Sequence, residues 1–341
     1  MDTLQLNLIK LVLLFFITPF VKISGQKNDS TLFEPLHEVV LFIIPETKEI
    51  KWDSPSALIK SSTNCFLASE IMNSPYMLGH VITKVRSPLI TTGYAYYAMN
   101  GADQSEKLSR FFTEKRGLGV LGCTMKGRLE PENEIISNLE FYAKKNKLSY
   151  MRFLVSEESV LRILEFINYY TSLNMSGIIP VNQYNGALFP GYFGEGAGCS
   201  AFAIHLLSLA GALPLTAKDE WLIEINMPMD LIGGDMNNNK RIKLKDILKR
   251  KEWHSGEGIE GVDFASFSIF DPYLIHKWVL KTYNSGDKEH YQPEKSLYNV
   301  KGLFVDYSDL RTYNDSITTV RLDTTFFIKH YFEKIKNNNN E

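Results

Sequence analysis

Two side chains in this sequence could work as a nucleophile and its base: the thiol of Cys199 and the imidazole of His80. A thiol nucleophile must be ionised, must hand its proton to a base, and needs hydrogen-bond donors near the oxyanion it creates. Cys199 follows Gly196-Ala197-Gly198 and opens the apolar run 199–213 (CSAFAIHLLSLAGAL), which Pro214 stops. That pattern predicts a helix buried nearly all round, with Cys199 in its first turn. Free N–H groups and the positive end of the helix dipole favour a thiolate there, and the same N–H groups can hold an oxyanion. The small residues ahead of the cysteine let a substrate carbonyl approach the backbone. Close packing around a buried, inert cysteine would use the same residues, so the motif alone leaves two readings open.

The base has to come from seven histidines, at positions 37, 80, 205, 254, 276, 290 and 330. His205 lies six residues beyond Cys199, which turns it roughly 120° around the helix and out of reach of the thiol. His254, His276, His290 and His330 sit in polar settings typical of surface histidines, and His37 reads as the exposed start of an apolar strand. His80 differs: it follows Leu78-Gly79 at the head of an apolar strand, and the glycine leaves room beside it. Glu195, four residues before Cys199, reads as peripheral, because an acid beside a thiolate raises its pKa. Cys65 is a poorer nucleophile candidate, since no buried helix clearly begins there. Three cysteines are an odd number for an exported chain. A Cys65–Cys123 bridge with Cys199 free, and three unpaired buried thiols, are both consistent with that number.

The elements that must position these groups follow from apolar spacing. Residues 37–45 read as a buried strand, 64–72 as a short strand or helical turn, and 78–85 with 91–99 as two strands of a hairpin. Residues 104–115 have helical spacing, 118–125 read as a strand, 130–145 as a helix, and 148–155 as a strand. Ser156 is a good N-cap for a helix running to about residue 172, with Glu157 and Glu158 in its first turn. A long loop rich in Gly, Pro, Asn and aromatic residues spans 174–195, and its Tyr184, Phe189, Tyr192 and Phe193 suit one wall of a substrate groove. Beyond residue 215, turns at 232–239 and 254–259 separate short elements, 271–278 looks like a short helix and 318–330 holds a strand-like stretch.

The Gly-His strand 78–85 comes first, then a second strand, then Tyr150-Met-Arg-Phe-Leu-Val-Ser-Glu-Glu158 with its helix, then Tyr184-Asn185 and Gly198-Cys-Ser-Ala-Phe202. This order resembles the circularly permuted branch of the NlpC-type papain-like enzymes, whose arrangement the lecithin–retinol acyltransferase group shares. The resemblance covers residues 37–215. It implies an α+β, papain-like fold with an antiparallel sheet packed on the Cys199 helix. It also implies a Cys nucleophile with a His base, cleaving or transferring acyl groups at amides or esters. Residue by residue, only Cys199 and His80 carry over. Such families place a further polar residue on the strand after the histidine; here that strand is TTGYAYYAM and offers Thr92, Tyr94 or Tyr96. A hydroxyl orients an imidazole less strongly than a carboxylate does.

Bulk properties narrow the rest. The 341 residues are 44% hydrophobic and 22% charged, ordinary values for a chain that buries a sizeable core. Residues 1–25, with the apolar run 11–21 and Ser24-Gly25, predict a cleaved signal peptide, too short to cross a bilayer. Net charge is −2, and about −3 once Asp2, Lys10 and Lys22 are removed, which excludes a basic field for nucleic acid. No HExxH, CxxC, GxGxxG or phosphate-loop pattern appears in the right context, so no metal or cofactor is expected. The expectation is an exported, periplasmic or secreted, hydrolase or acyltransferase acting on a peptide amide or lipid ester of the cell envelope. Residues 26–215 would form its catalytic domain, 216–336 an extension, and 337–341 a disordered tail. An expectation from another class is a non-catalytic binding protein that uses the aromatic loop 184–193.

Overall fold

Strand β1 (Glu38–Ile44, EVVLFII) is buried along its whole length. Side chains alternate across a strand, so an apolar run of this kind must have cover on both faces. It has: Val39, Leu41 and Ile43 enter one core, and Val40, Phe42 and Ile44 enter another. The computed structural model describes residues 36–175, 179–285, 290–310 and 316–338. The signal peptide expected at 1–25 lies outside the described residues, as does the end of the tail beyond Asn338.

β1 sits inside a six-stranded sheet of order β10-β11-β6-β1-β2-β3. Its strands are β2 (His80–Arg86), β3 (Tyr94–Tyr97), β6 (Ser149–Leu154), β10 (Gln292–Lys295) and β11 (Lys301–Asp306). All neighbours are antiparallel except the β11–β6 pair. One face is covered by α3 (Glu132–Lys144), through Ile135, Leu139 and Tyr142. The other is covered by α4 (Glu157–Ser172), α5 (Cys199–Leu209) and α8 (Pro272–Ser285), through Phe166, Phe202, Leu206 and Trp278. The fold is α+β. A small sheet of β4 (Met99–Gly101), β5 (Met125–Leu129) and β7 (Gln183–Tyr184) stands apart from it, as does the hairpin β8 (Leu222–Pro228) with β9 (Phe264–Phe270).

Local chemistry explains where several elements depart from the spacing argument. Residues 64–72 belong to α1 (Pro55–Ile71), a full helix. Ser54 caps it by accepting from the Ala57 N–H at 3.1 Å, and Pro55 suits the first turn. Its Ser/Thr/Asn-rich middle hides the pattern, because those residues have modest helix propensity. Residues 118–125 hold a 3-10 turn at Leu118–Val120 ahead of β5, rather than a strand. The stretch 318–330 ends inside α9 (Phe326–Asn338), whose Phe327, Ile328, Tyr331 and Ile335 are buried at helical spacing. Helix α5 stops at Leu209, before Pro214, because Gly211 takes φ +68°. Gly211 and Ala212 donate to Ser208 and Leu207 at 2.9 and 3.0 Å, a left-handed glycine cap. The short helix expected at 271–278 continues to Ser285 as α8.

Residues beyond 216 are built into the main sheet and not merely attached to it. β11 pairs with β6, and Leu303 and Val305 share a core with Leu41, Phe153 and Phe202. Helix α6 (Ala217–Trp221) adds the fully buried Trp221, edge-to-face on Trp278. Leu303→Ala should therefore destabilise the whole protein by about 2–5 kcal/mol in a single urea transition. Two separate transitions, only one of them shifted, would show that the C-terminal part folds alone.

Candidate active site

Cys199 is the first residue of α5, after the N-cap Gly198. The loop ahead of it is pressed against β7: Ala197 donates to the Gln183 carbonyl at 3.1 Å, and a Cβ on Gly196 would lie 2.1 Å from that same oxygen. Only glycine fits at 196, and this close approach sets Tyr184 beside the start of the helix. Asn185, fully buried, locks the next step of the chain. Its Nδ2 donates to the Gly122 carbonyl at 2.8 Å and its Oδ1 accepts from Ala187 N–H at 2.7 Å.

His80 is the first residue of β2, and Ile44 of β1 stands opposite it. Helix α5 packs along β2, so its tip meets the head of that strand. The Cys199 thiol and the His80 ring stand close enough for thiolate and imidazolium to attract one another. The 119 positions that separate them along the chain are thus closed up by sheet and helix. Gly79 has the room expected of it filled: a Cβ there would meet Pro272 at 2.7 Å and Glu46 at 2.9 Å.

The group that orients the imidazole is Glu130, immediately after β5. Its Oε1 stands 2.9 Å from His80 Nε2, with both side chains buried. That contact lies off the line of an ideal N–H···O bond, so it acts chiefly as an ion pair. With Nε2 engaged by the carboxylate, Nδ1 is the nitrogen left for the thiol. Glu130 is held in turn: Tyr76 donates its hydroxyl to Oε2 at 2.7 Å, and the nearby Asn100 also favours the ionised carboxylate. Asn138 Nδ2 donates to the Tyr76 hydroxyl at 3.1 Å. The Tyr76 ring stacks on the His80 ring at 4.0 Å, closing one face of the imidazole.

Thr92, Tyr94 and Tyr96, the expected third residues, do not approach His80. β3 pairs with Thr83–Arg86, the far end of β2 from the histidine. Tyr94 and Tyr96 face Lys84 there, and Thr92 donates to the Tyr94 carbonyl. The family resemblance put the third group on the next strand, whereas the carboxylate beside His80 arrives from another sheet. The clue was present as Leu129-Glu130-Pro131, an acid pinned between a strand and a helix-starting proline.

Electrostatics follow from burial and pairing. Burial alone would raise the Cys199 thiol and lower the His80 imidazole. The attraction between thiolate and imidazolium overrides both, holding the thiol below its ordinary value and the imidazole above it. Ser200 and Tyr184 add hydrogen bonds to the sulfur that favour the thiolate. Burial likewise works to raise Glu130, and His80, Tyr76 and Asn100 outweigh it, so this carboxylate stays ionised. Glu46 is the opposite case: burial, then the nearby Asp271, push its carboxyl well up.

Tyr184 was expected as a groove wall and lies closer in. Burial, then the nearby Cys199 thiolate, push its phenol well up, so the hydroxyl stands beside the sulfur. A phenol and the free N–H groups of a helix start are the kinds of donor that an oxyanion at this thiol would need. Cys199 itself is 7% exposed, a buried residue at the tip of its helix.

The other expected residues fall elsewhere. Cys65 and Cys123 are free buried thiols, bonded to the Met77 and Val120 carbonyls, so the Cys65–Cys123 bridge is not formed. His205 is buried on α5, faces the Ile317 carbonyl at 3.1 Å, and is held down to about 4 by burial. His37 is buried and bonded to Ser87 at 2.9 Å, not exposed. His276 is likewise no surface group: it bonds Ser149 at 2.8 Å, and burial holds it down to about 4. His254 is half-buried, stacked on Phe264, and His330 is half-buried, 3.6 Å from Asp235; only His290 is exposed. Glu195 is fully buried and takes two bonds from Arg321, at 2.6 and 2.9 Å. The aromatic loop packs mostly inward, with Phe189 on His205 and Tyr192 under Arg321, and only Phe193 stands out.

Alkylation of Cys199 by iodoacetamide should rise with an apparent pKa below that of an ordinary thiol. Glu130→Gln should shift that profile up by about one unit, and His80→Ala by more. Profiles identical in all three proteins would mean that the carboxylate and imidazole do not act on the sulfur. Searches with this chain against protein-family models, curated proteins and solved structures find no match.

Proposed function

We propose that this protein is a cysteine-dependent acyl hydrolase or acyltransferase, a permuted papain-like enzyme in which Cys199 is the nucleophile, His80 its base and Glu130 the orienting acid. One observation carries the reading: a thiol at the tip of a buried helix, an imidazole and an ionised carboxylate stand in sequence, each held by its neighbour. Buried inert cysteines do not need this arrangement. Cys65 and Cys123 of the same chain are satisfied by a carbonyl alone, and burial pushes both thiols up.

In the proposed reaction the Cys199 proton moves to His80 Nδ1, and the thiolate attacks the acyl carbon. The Cys199 N–H and the Tyr184 hydroxyl donate to the oxyanion. On collapse, the imidazolium returns a proton to the departing amine or alkoxide, leaving a thioester on Cys199. His80 then takes a proton from water, or from an acceptor amine or alcohol, which attacks the thioester and frees the thiol. Glu130 remains ionised throughout and stabilises the imidazolium. An amide or ester of a cell-envelope peptide or lipid fits this chemistry and the export expected from residues 1–25.

A non-catalytic binder built on loop 184–193 is less well supported, because the loop's aromatic rings are mostly spent on internal packing.

The test is activity against a panel of peptide amides and acyl esters. Cys199→Ala and His80→Ala should each lower turnover by about 10³-fold or more, and intact-mass analysis of a quenched reaction should show an acyl adduct on Cys199. The active ion pair forms as the thiol ionises and is lost as the imidazolium deprotonates. With the thiol near about 7 and the imidazole near about 10, kcat/KM should rise through the first and fall through the second. A panel turned over equally well by Cys199→Ala would end the proposal.

A further inference from the structure

The strongest charge concentration lies away from the thiol. Seven of the twelve residues from Lys240 to Lys251 are Lys or Arg, against one acid, Asp246, in a chain whose net charge is −2. The segment is firmly mounted. Ile242 and Ile247 are buried in a core with Leu118 and Phe267, and Ile242 donates to the Lys115 carbonyl at 2.8 Å. Its helix α7 (Leu244–Lys249) packs on α1, and Ser56 donates to the Arg250 carbonyl at 3.1 Å. With Ile242 and Ile247 turned inward, the segment presents Lys240, Arg241, Lys243, Lys245 and Lys249 to solvent. Lys240, Arg241 and Lys249 line a depression of about 420 Å³ together with Asp246 and with Asp230, which is ion-paired with Arg250.

Two exposed apolar side chains accompany these cations. Leu244 is 43% exposed within the segment, and Phe112 is 61% exposed on the π-helical turn Ser109–Thr113. Arg241 joins the two pieces by donating to the Thr113 carbonyl at 3.0 Å. That turn continues α2 (Gln104–Leu108).

We propose that this face docks the protein on a bilayer containing anionic phospholipid, with the lysines and arginines on headgroup phosphates and Phe112 and Leu244 entering the interface. Charge complementarity selects an anionic partner, and the protruding apolar side chains select a lipid surface over a hydrated polyanion, which gives them nothing to bury against. No helix among the described residues is long and apolar enough to cross a membrane, so the contact is peripheral. The inference stands independently of the acyl-transfer reading.

Co-sedimentation of the full chain with phosphatidylcholine vesicles, with and without phosphatidylglycerol, tests it. Comparison among variants cancels whatever residues 11–21 contribute. Binding should be stronger to the anionic vesicles and should weaken with salt. Each neutralised cation should lower the partition coefficient about fivefold, the change that about 1 kcal/mol produces, so Lys243→Gln/Lys245→Gln/Lys249→Gln should cost about 10²-fold. Phe112→Ser should weaken the binding that persists at high salt. Melting temperatures will establish that the variants are folded. Equal binding to both vesicle types, or an unchanged triple variant, overturns the proposal. So does binding to heparin without binding to vesicles, which would assign the face to a soluble polyanion.

Discussion

Holding a charged imidazole inside a protein is costly, and the structure around Cys199 is organised to meet that cost. Burial opposes the imidazolium of His80 and the thiolate of Cys199 alike. Neither ion would persist alone in that setting, because desolvation of a single charge exceeds what a few hydrogen bonds return. Together with the Glu130 carboxylate they form a set in which each charge compensates another. Tyr76 and Asn100 complete the set by fixing the carboxylate. Removing one member of such a set leaves its partner buried and uncompensated, which is more damaging than never having built it.

The three groups come from different layers, and the fold can be understood as the means of bringing them together. The main sheet supplies His80 at the end of β2, and the helix packed on it supplies Cys199. The small sheet supplies the rest: Met125 of β5 pairs with Tyr184, and the same strand leads directly into Glu130. One short strand thus fixes both the acid behind the imidazole and the phenol in front of the sulfur.

The C-terminal part stabilises the approach to the thiol. Thr319 pairs with Gly191 and Phe193, Arg321 holds Glu195, and Tyr331 donates to the Gly194 carbonyl at 2.9 Å. These ties anchor the turn that delivers Gly196–Gly198 to the helix start. The last third of the chain therefore serves the site without contributing a reacting group to it.

Sequence alone was enough to identify the strands β1, β2 and β6, the Ser156-capped helix, and the buried helix that Cys199 opens, because apolar period and caps are local signals. It also put Cys199 together with His80, through a family resemblance added to the survey of seven histidines, and in the structure the charges of those two groups act on each other. Glu130, the Tyr184 hydroxyl and the free state of Cys65 and Cys123 were settled only in three dimensions. Each depends on which strands of separate sheets come together, and neither spacing nor propensity encodes that. The same holds for the segment beyond 216, whose strand β11 looks unremarkable until it is seen to complete the central sheet beside β6.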